Sequence, residues 1–331
     1  MGRARVEVFR ADVVESRHAV SFAVAGPDSG AGSDGEPAVF LRSAAKPLQA
    51  AAIVQSGALD RLGGDDDETL AIVAASHSGE SQHTTRVAAL LSRLGLDESA
   101  LRCGIHAPFH EPTAVALGGR FSPLHHNCSG KHAGMLAAAL ALGVPAASYL
   151  DAAGPVQQLM RRTVAALCGL PFERVAVAID GCGAATFAVP LAHAAHAFAL
   201  LARPKEAPPE LREPLERVAR AMRSHPDLVG GSGRFDTRLM EASRGRLLAK
   251  GGAEGVEGVA DRDRGLGMCV KVCDGAARAV GPATLEALRD GGWIDDRALR
   301  ALDDLRRPLV RNVAGTAVGR IEATIESTPS P

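Results

Sequence analysis

Lysine is rare in this chain, and three lysines stand beside residues that could react with a substrate. The 331 residues include five lysines against thirty-two arginines. Lys46 follows Ser43 by three positions, Lys131 lies in an Asn-Cys-Ser-Gly-Lys-His run, and Lys250 precedes two glycines. Guanidinium does not lose its proton under physiological conditions, whereas an amine can. The three lysines are therefore candidates for acid-base or ligand chemistry, and Lys205 is typical of an ordinary surface lysine.

The Ser43-Ala-Ala-Lys46 spacing would place a hydroxyl and an amine on one face of a helix. Pro47 is tolerated in the first helical turn, so the helix is predicted to begin near Ser43. Backbone N–H groups and the helix dipole at that end could stabilise an oxyanion. The pair is therefore a candidate nucleophile and base, although the same spacing also arises by chance in a chain of this length.

A second cluster, Ser76-His77-Ser78-Gly79-Glu80, ends an apolar run with hydroxyls, an imidazole and a carboxylate. Such a cluster suits an active-site loop at the end of a strand or helix. Ser78 or Ser81 would equally serve as the N-cap of a following helix. Both interpretations stay open at this point.

Two glycine-bearing turns each present a cysteine among polar groups. Cys128 and Lys131 share the Asn-Cys-Ser-Gly-Lys-His run, and Cys182 lies in Asp180-Gly-Cys-Gly. Two thiolates near an imidazole, a carboxylate and a lysine predict a zinc site with a position left open. The alternative is that both cysteines fill small spaces in the core beside tight turns.

Composition excludes several classes of protein. A net charge of −1 gives no electrostatic basis for binding nucleic acid or an anionic membrane, which favours a small polar substrate. The N-terminal residues carry no apolar signal segment, so a cytoplasmic protein is expected. The six cysteines are spread along the chain without a C-x-x-C pair, as expected for free thiols or metal ligands in a reducing compartment.

Patterning predicts strands at both ends of the chain and helices between them. Strands are expected within 6–24, 38–41 and 175–179 and, near the C-terminal end, at 246–250, 267–273 and 314–325. Helices are expected near 44–56, 84–94, 112–118, 133–142, 153–168, 210–223 and 282–290. The fold class is therefore α/β (α+β), with one sheet built from N- and C-terminal strands and an inserted helical region. One domain over 1–331 is expected, with a sheet lobe at about 1–42 and 240–331 and a helical lobe at about 43–239.

Taken together, these motifs resemble those of the rhizobial-type (class 3) L-asparaginases, and the resemblance spans nearly the whole chain. The Asn-Cys-Ser-Gly-Lys-His run is its most specific part, because S-x-x-K also fits serine β-lactamases and penicillin-binding proteins. The resemblance implies a fold related to those enzymes, with a mainly antiparallel sheet, and favours a homodimer. Asp236 stands where members of the family are expected to carry a further cysteine.

The resemblance also implies a set of site residues. Two Ser-Lys pairs would join Ser43 to Lys46 and a second serine, Ser76 in preference to Ser78, to Lys250. The remaining implied residues are a zinc site of Cys128, Lys131 and Cys182, and substrate-binding groups at Arg42, Asn127, His132 and Asp180.

The expected reaction is hydrolysis of L-asparagine to L-aspartate and ammonia through an acyl-enzyme on Ser43, with Lys46 as base. Zinc would orient the substrate and would not activate the nucleophile. One alternative is another serine amidohydrolase, such as a glutaminase or a β-lactam-acting enzyme. The other is a non-catalytic zinc-binding protein, which gives no reason for lysines to lie beside serines.

Overall fold

The computed structural model describes residues 1–28, 36–62 and 66–326. A seven-stranded sheet joins the two ends of the chain, and a smaller sheet lies among the central helices. The strands in the described residues are β1 (Gly2–Arg10), β2 (Val13–Ala25), β3 (Ala38–Phe40), β4 (Ala176–Ile179), β5 (Ala185–Pro190), β6 (Leu247–Gly252), β7 (Val256–Asp261), β8 (Leu266–Val272), β9 (Leu309–Arg311) and β10 (Ala317–Glu326).

The α-helices of the same residues fill the centre of the chain and one segment near its end. They are α1 (Lys46–Gln55), α2 (Asp67–Val73), α3 (Ser81–Arg93), α4 (Glu111–Leu117), α5 (Ser129–Ala141), α6 (Pro155–Leu167), α7 (Leu191–Ala202), α8 (Pro209–Ser224), α9 (Pro226–Val229), α10 (Phe235–Ala242), α11 (Val280–Asp290), α12 (Asp296–Ala301) and α13 (Asp303–Arg306).

The large sheet has the order β6-β7-β8-β2-β1-β10-β9, and its neighbouring strands are antiparallel. In β1, Ala4, Val6 and Val8 are buried and alternate with more exposed residues, because successive side chains of a strand point to opposite faces. All six residues of β7 are buried, so this strand is covered on both faces. Strand β6 pairs with this buried strand along its whole length.

Helix α7 packs directly on the large sheet because glycines leave room for it. A Cβ on Gly267 would lie 2.0 Å from the carbonyl oxygen of Ala195 and 2.2 Å from the amide nitrogen of Ala199. A Cβ on Gly258 would lie 2.0 Å from the ring of Phe198. With helix and strands this close, small residues and one aromatic ring fill the interface at high density.

Helix α1 carries Lys46 into the centre of the molecule. Its residues from Lys46 to Val54 are all buried, since most of them are apolar and other helices surround them. The chain enters it from β3 through the 3₁₀-helix Arg42–Ala45. The Leu41 amide donates to the Phe187 carbonyl at 2.9 Å, which continues the pairing of β3 with β5 up to this turn.

The predicted fold class is confirmed: strands from both ends of the chain form one antiparallel sheet, and helices fill the region between them. The three-stranded sheet of order β3-β5-β4 was not expected, and β4 and β5 lie inside the range predicted as a helical lobe. The division into two lobes stays a prediction. In the described residues, no helix combines the length and apolar character needed to cross a membrane.

Candidate active site

A cavity of about 400 Å³ lies where the 3₁₀-helix before α1, the loop after α2 and the end of β6 meet. It contains both serines that the sequence singled out. The residues lining it are Ser43, Ser76, Phe109, Asn127, Arg234, Phe235, Asp236, Gly251, Gly252, Ala253, Val256, Glu257, Ala277 and Val280.

Ser43 is held at the cavity by an unusual turn. Arg42 has a φ of 51°, in the left-handed region that costs a non-glycine residue about 1–3 kcal/mol. Strand β6 passes so close that a Cβ on Gly252 would lie 2.4 Å from the Leu41 carbonyl oxygen and 3.4 Å from the Ser43 amide nitrogen. Among the described residues, no hydrogen bond holds the Ser43 hydroxyl. The hydroxyl is thus placed at the cavity without a fixed partner.

Lys46 lies beneath the cavity with 1% of its surface exposed. Its amine donates to Ser76 Oγ at 3.2 Å and to the carbonyl oxygen of Asn127 at 3.2 Å. The spacing predicted contact with Ser43, and the structure instead gives hydrogen bonds to the other serine. The long side chain points inward from the helix and reaches the loops that carry residues 76 and 127.

The environment of Lys46 favours the neutral amine. Its pKa is lowered to about 8, chiefly by burial, since removing an ammonium from water disfavours the charged form. The charges of Lys131 and Lys250 act in the same direction, and Cys128 opposes them. An amine with this pKa can accept a proton from a hydroxyl near neutral pH.

The two candidate serines of the second cluster have different environments. Ser76 Oγ accepts hydrogen bonds from Lys46 and from the Asn127 side chain, at 3.0 Å for the latter, and it lines the cavity. The Ser78 hydroxyl donates to the Gly230 carbonyl at 3.0 Å and does not line the cavity. Of the two interpretations left open by the sequence, capping of the next helix by Ser78 or Ser81 does not occur. Glu80 is the N-cap of α3, and its amide donates to His83 Nδ1.

Lys250 pairs with an aspartate and not with Ser76 as expected. Its ammonium is buried and donates to Asp236 Oδ2 at 2.7 Å and to the Gly251 carbonyl at 2.8 Å. Burial alone would raise the pKa of Asp236, but the charges of Lys250 and Arg234 outweigh it and hold that pKa below its usual value. Asp236, at the position expected to hold cysteine, thus supplies the counter-ion for Lys250.

Glu257 is a residue of the cavity that sequence reasoning missed. It lies in β7, is 2% exposed, and faces Gly251 across the β6–β7 pairing. Burial, followed by the nearby charge of Asp236, raises its pKa well above the usual value. A glutamate inside the apolar run Val256–Ala260 was the available signal, because charged residues are rarely fully buried without a role or a partner.

The predicted zinc ligands lie together in the core. Lys131 Nζ donates to Cys182 Sγ at 3.3 Å, and the Cys128 and Cys182 thiols are hydrogen-bonded to each other. That bond and the charges of Lys46 and Lys131 hold the pKa of Cys128 well below its usual value, while the pKa of Cys182 is raised. Cys128 is therefore the thiol of the pair that loses its proton more readily.

These residues fit a zinc ion by donor type. Two sulfur atoms and one nitrogen converge, and thiolate is a ligand that zinc prefers. Within the described ranges, no three side chains of histidine, cysteine, aspartate or glutamate converge on a possible metal site. A zinc site here therefore requires the amine of Lys131 as its third ligand.

The predicted substrate-binding residues occupy different places. Arg42 donates to Asp180 Oδ1 from Nε at 3.0 Å and from Nη2 at 2.7 Å, and this hydrogen bond raises the pKa of Arg42. Asn127 lines the cavity and bonds to Ser76. His132 is fully buried outside the cavity lining, with Nδ1 at 2.8 Å from the Tyr149 hydroxyl. Asn127 is thus the one of these four side chains that meets the cavity directly among the described lining residues.

One family model and several solved structures match this chain. The sequence model of the L-asparaginase II family matches residues 6–323. No curated protein gives a significant match. Similar solved structures include a protein described as a β-lactamase from Bacteroides dorei DSM 17855, with 14% identity, a TM-score of 0.37, and coverage of 82% of this chain and 85% of that chain. A β-lactamase from Mycobacterium bovis has 15% identity and a TM-score of 0.37, with coverage of 83% and 88%.

The family match extends over nearly the whole chain, including both serines, the three lysines and the two cysteines of the site. The cavity is lined by two serines and by the buried acids Asp236 and Glu257, and the pKa of the nearby Lys46 is lowered. These features are consistent with an amidohydrolase. The chain belongs to the L-asparaginase II family.

The Lys250–Asp236 pair gives a stability prediction. Lys250→Met should lower the free energy of unfolding by about 3–5 kcal/mol at pH 7, because Asp236 would lose the buried cation beside it. The depressed pKa of Asp236 makes its contribution present above its unfolded pKa and lost as pH falls through the folded pKa, so the difference should shrink in acid. Urea unfolding at pH 7 and in acid measures both effects.

Lys205→Met provides the matched control, since Lys205 is exposed. This substitution should change the free energy of unfolding by less than about 0.5 kcal/mol. Equal losses in the two variants would contradict the assigned role of the buried pair.

Proposed function

We propose that this protein hydrolyses L-asparagine to L-aspartate and ammonia through an acyl-enzyme formed on Ser43. The observation that carries the proposal is the buried amine of Lys46, whose pKa is lowered to about 8 and which is hydrogen-bonded to a serine at the cavity. Membership of the L-asparaginase II family supports the amide substrate. Both the family and the site fit a hydrolase better than a non-catalytic binding protein.

In this mechanism the Ser43 oxygen attacks the carbon of the side-chain amide. Its hydroxyl lines the cavity without a hydrogen bond from the described residues, so it is free to turn toward a substrate. The developing oxyanion lies near the start of α1, where the helix dipole favours negative charge. Ammonia leaves with the transferred proton, and water then releases aspartate from the ester.

In this proposal Ser76 passes the proton from Ser43 to Lys46. Its oxygen is fixed between the Lys46 amine and the Asn127 amide, at 3.2 and 3.0 Å. When Lys46 is neutral, its lone pair can accept the Ser76 proton while Ser76 accepts that of Ser43. Lys250 contributes through its charge, which lowers the pKa of Lys46.

Cys128, Lys131 and Cys182 would hold a zinc ion near the Arg42–Asp180 pair. When bound, the ion would supply a positive charge that strengthens the attraction of the site for the substrate's carboxylate. The chain's own residues carry the proton transfers, since serine supplies the nucleophile and Lys46 supplies the base.

Removing the nucleophile tests the proposal. Wild-type protein should release ammonia from L-asparagine, and Ser43→Ala should lower kcat by about 10³-fold or more. Rapid-quench mass spectrometry should find the acyl group on the peptide that contains Ser43. Ser78→Ala is the matched control, because its hydroxyl lies outside the cavity lining, and it should keep near-wild-type turnover. An acyl group on Ser76 would reassign the nucleophile, and turnover of glutamine or a β-lactam without asparagine would reassign the substrate.

The pKa of Lys46 predicts the pH dependence. A base must be neutral, so kcat/KM should rise about tenfold per pH unit below the pKa of Lys46. It should level off above about pH 8. A histidine base would level off by about pH 7, and the pKa of His77 is lowered well below its ordinary value by burial. The profile is measured on chelator-treated protein and again with zinc, and Lys46→Arg, which cannot act as a base, should be nearly inactive at every pH.

The zinc site has a prediction of its own. Cys182→Ser and Lys131→Ala should each abolish tight zinc binding, and should raise KM for asparagine more than they lower kcat. Elemental analysis after dialysis against zinc, together with steady-state kinetics, checks both parts. Cys273→Ser is the control, since Cys273 is an exposed thiol outside this cluster. Stoichiometric zinc in both site variants would exclude these ligands.

A further inference from the structure

Two carboxyl groups approach each other beside Gly251 in the wall of the cavity. A Cβ on Gly251 would lie 2.9 Å from Glu257 Oε2 and 3.1 Å from Asp236 Oδ1. The two oxygens are therefore no more than about 6 Å apart. Both side chains line the same cavity as Ser43 and Ser76. The glycine leaves the space in which these acids face each other.

One cation serves this pair directly. Lys250 donates to Asp236 at 2.7 Å, whereas Glu257 Oε1 is buried and has no hydrogen-bond partner among the described residues. The other ionisable groups near Glu257 are Arg234, which is half-buried against Phe109, and the buried Cys269 thiol. An unsatisfied buried carboxyl oxygen costs about 1–3 kcal/mol, so its retention in a cavity wall points to a ligand.

We propose that Asp236 and Glu257 form the subsite that binds the cationic amino group of the substrate. The inference rests on the proposed function, since it takes the substrate to be an amino acid amide. Before a ligand binds, the charges of Lys250 and Asp236 cancel each other, and the carboxyl group of Glu257 carries a proton. When an ammonium group arrives, Glu257 releases its proton, and two cations then face two carboxylates.

The charge balance supports this exchange. The cluster is neutral before binding with one proton on Glu257, and neutral after binding with that proton replaced by the ligand's ammonium. Burial of an uncompensated charge is costly, so a ligand that restores neutrality is favoured over one that does not. Arg234 lines the same cavity and carries the charge that suits the carboxylate of a zwitterionic ligand.

The subsite is tested by removing one group from the protein and one from the substrate. Succinamate is L-asparagine without its amino group. Glu257→Gln keeps the shape of the neutral acid and prevents ionisation, so it should lower kcat/KM for asparagine by roughly 10- to 100-fold and for succinamate by less than about 3-fold. Glu257→Asp should recover part of the preference for asparagine over succinamate. A preference for asparagine that is unchanged in Glu257→Gln would overturn the proposal.

Glu286→Gln is the matched control. Glu286 is a buried glutamate on α11 that accepts a hydrogen bond from Arg306 at 2.9 Å and does not line the cavity. Its variant should keep the wild-type preference for asparagine over succinamate, even if its melting temperature falls. Equal loss of preference in both glutamine variants would show a general effect of losing a buried acid and would reject the subsite.

Binding calorimetry separates failure of the subsite from failure of the proposed function. L-aspartate binding at pH 7, measured in two buffers of different ionisation enthalpy, should release about one proton from the wild-type protein and none from Glu257→Gln. Succinate, which lacks the amino group, should release none from either. If the wild-type protein hydrolyses no asparagine, the proposed function fails and this measurement alone decides the subsite. Absence of aspartate-linked proton release in the wild-type protein would reject it.

Discussion

Three buried lysine side chains lie close enough for their charges to interact, and each can remain buried only if a partner cancels its charge or its proton leaves. Lys250 has the carboxylate of Asp236, and Lys131 has the thiols of Cys128 and Cys182. Lys46 donates hydrogen bonds to neutral oxygens, and the charge of Cys128 acts on both Lys46 and Lys131. Burial lowers the pKa of Lys46, whereas the nearby thiols raise that of Lys131, and the proposed chemistry depends on that difference.

Much of the fold could be predicted because many elements have clear patterns. The strands β1 and β2 and the helices α1 and α11 alternate or repeat apolar residues as their burial requires. Strand β7 was missed because it is buried on both faces and contains a glutamate and a glycine, so it shows no alternation. Helix α7 was missed because it begins directly after β5, without a turn, in a run of alanines and histidines.

Sequence analysis predicted which residues belong to the site better than it predicted which of them bond to each other. Ser43, Ser76 and Asn127 were all found from short motifs, and all line the cavity. A spacing of three places side chains on one face, but a lysine long enough to leave that face bonds to whatever the tertiary fold brings near. The Lys250–Asp236 pair and Glu257 depend on the contact between α10 and the β6–β7 hairpin, which no local pattern contains.

The sheet joins strands from opposite ends of the chain, and this has a consequence for synthesis. Strand β1 pairs with β10, and Lys250 lies more than 200 residues after Ser43. Contacts between residues so far apart in the sequence form slowly, so we expect the C-terminal strands to join the sheet late in folding. On a nascent chain that has not reached β6, Lys46 would lack both the enclosing core and the charge of Lys250, and its amine would stay protonated. The surroundings of Lys46 are therefore complete only after the C-terminal strands have joined the sheet.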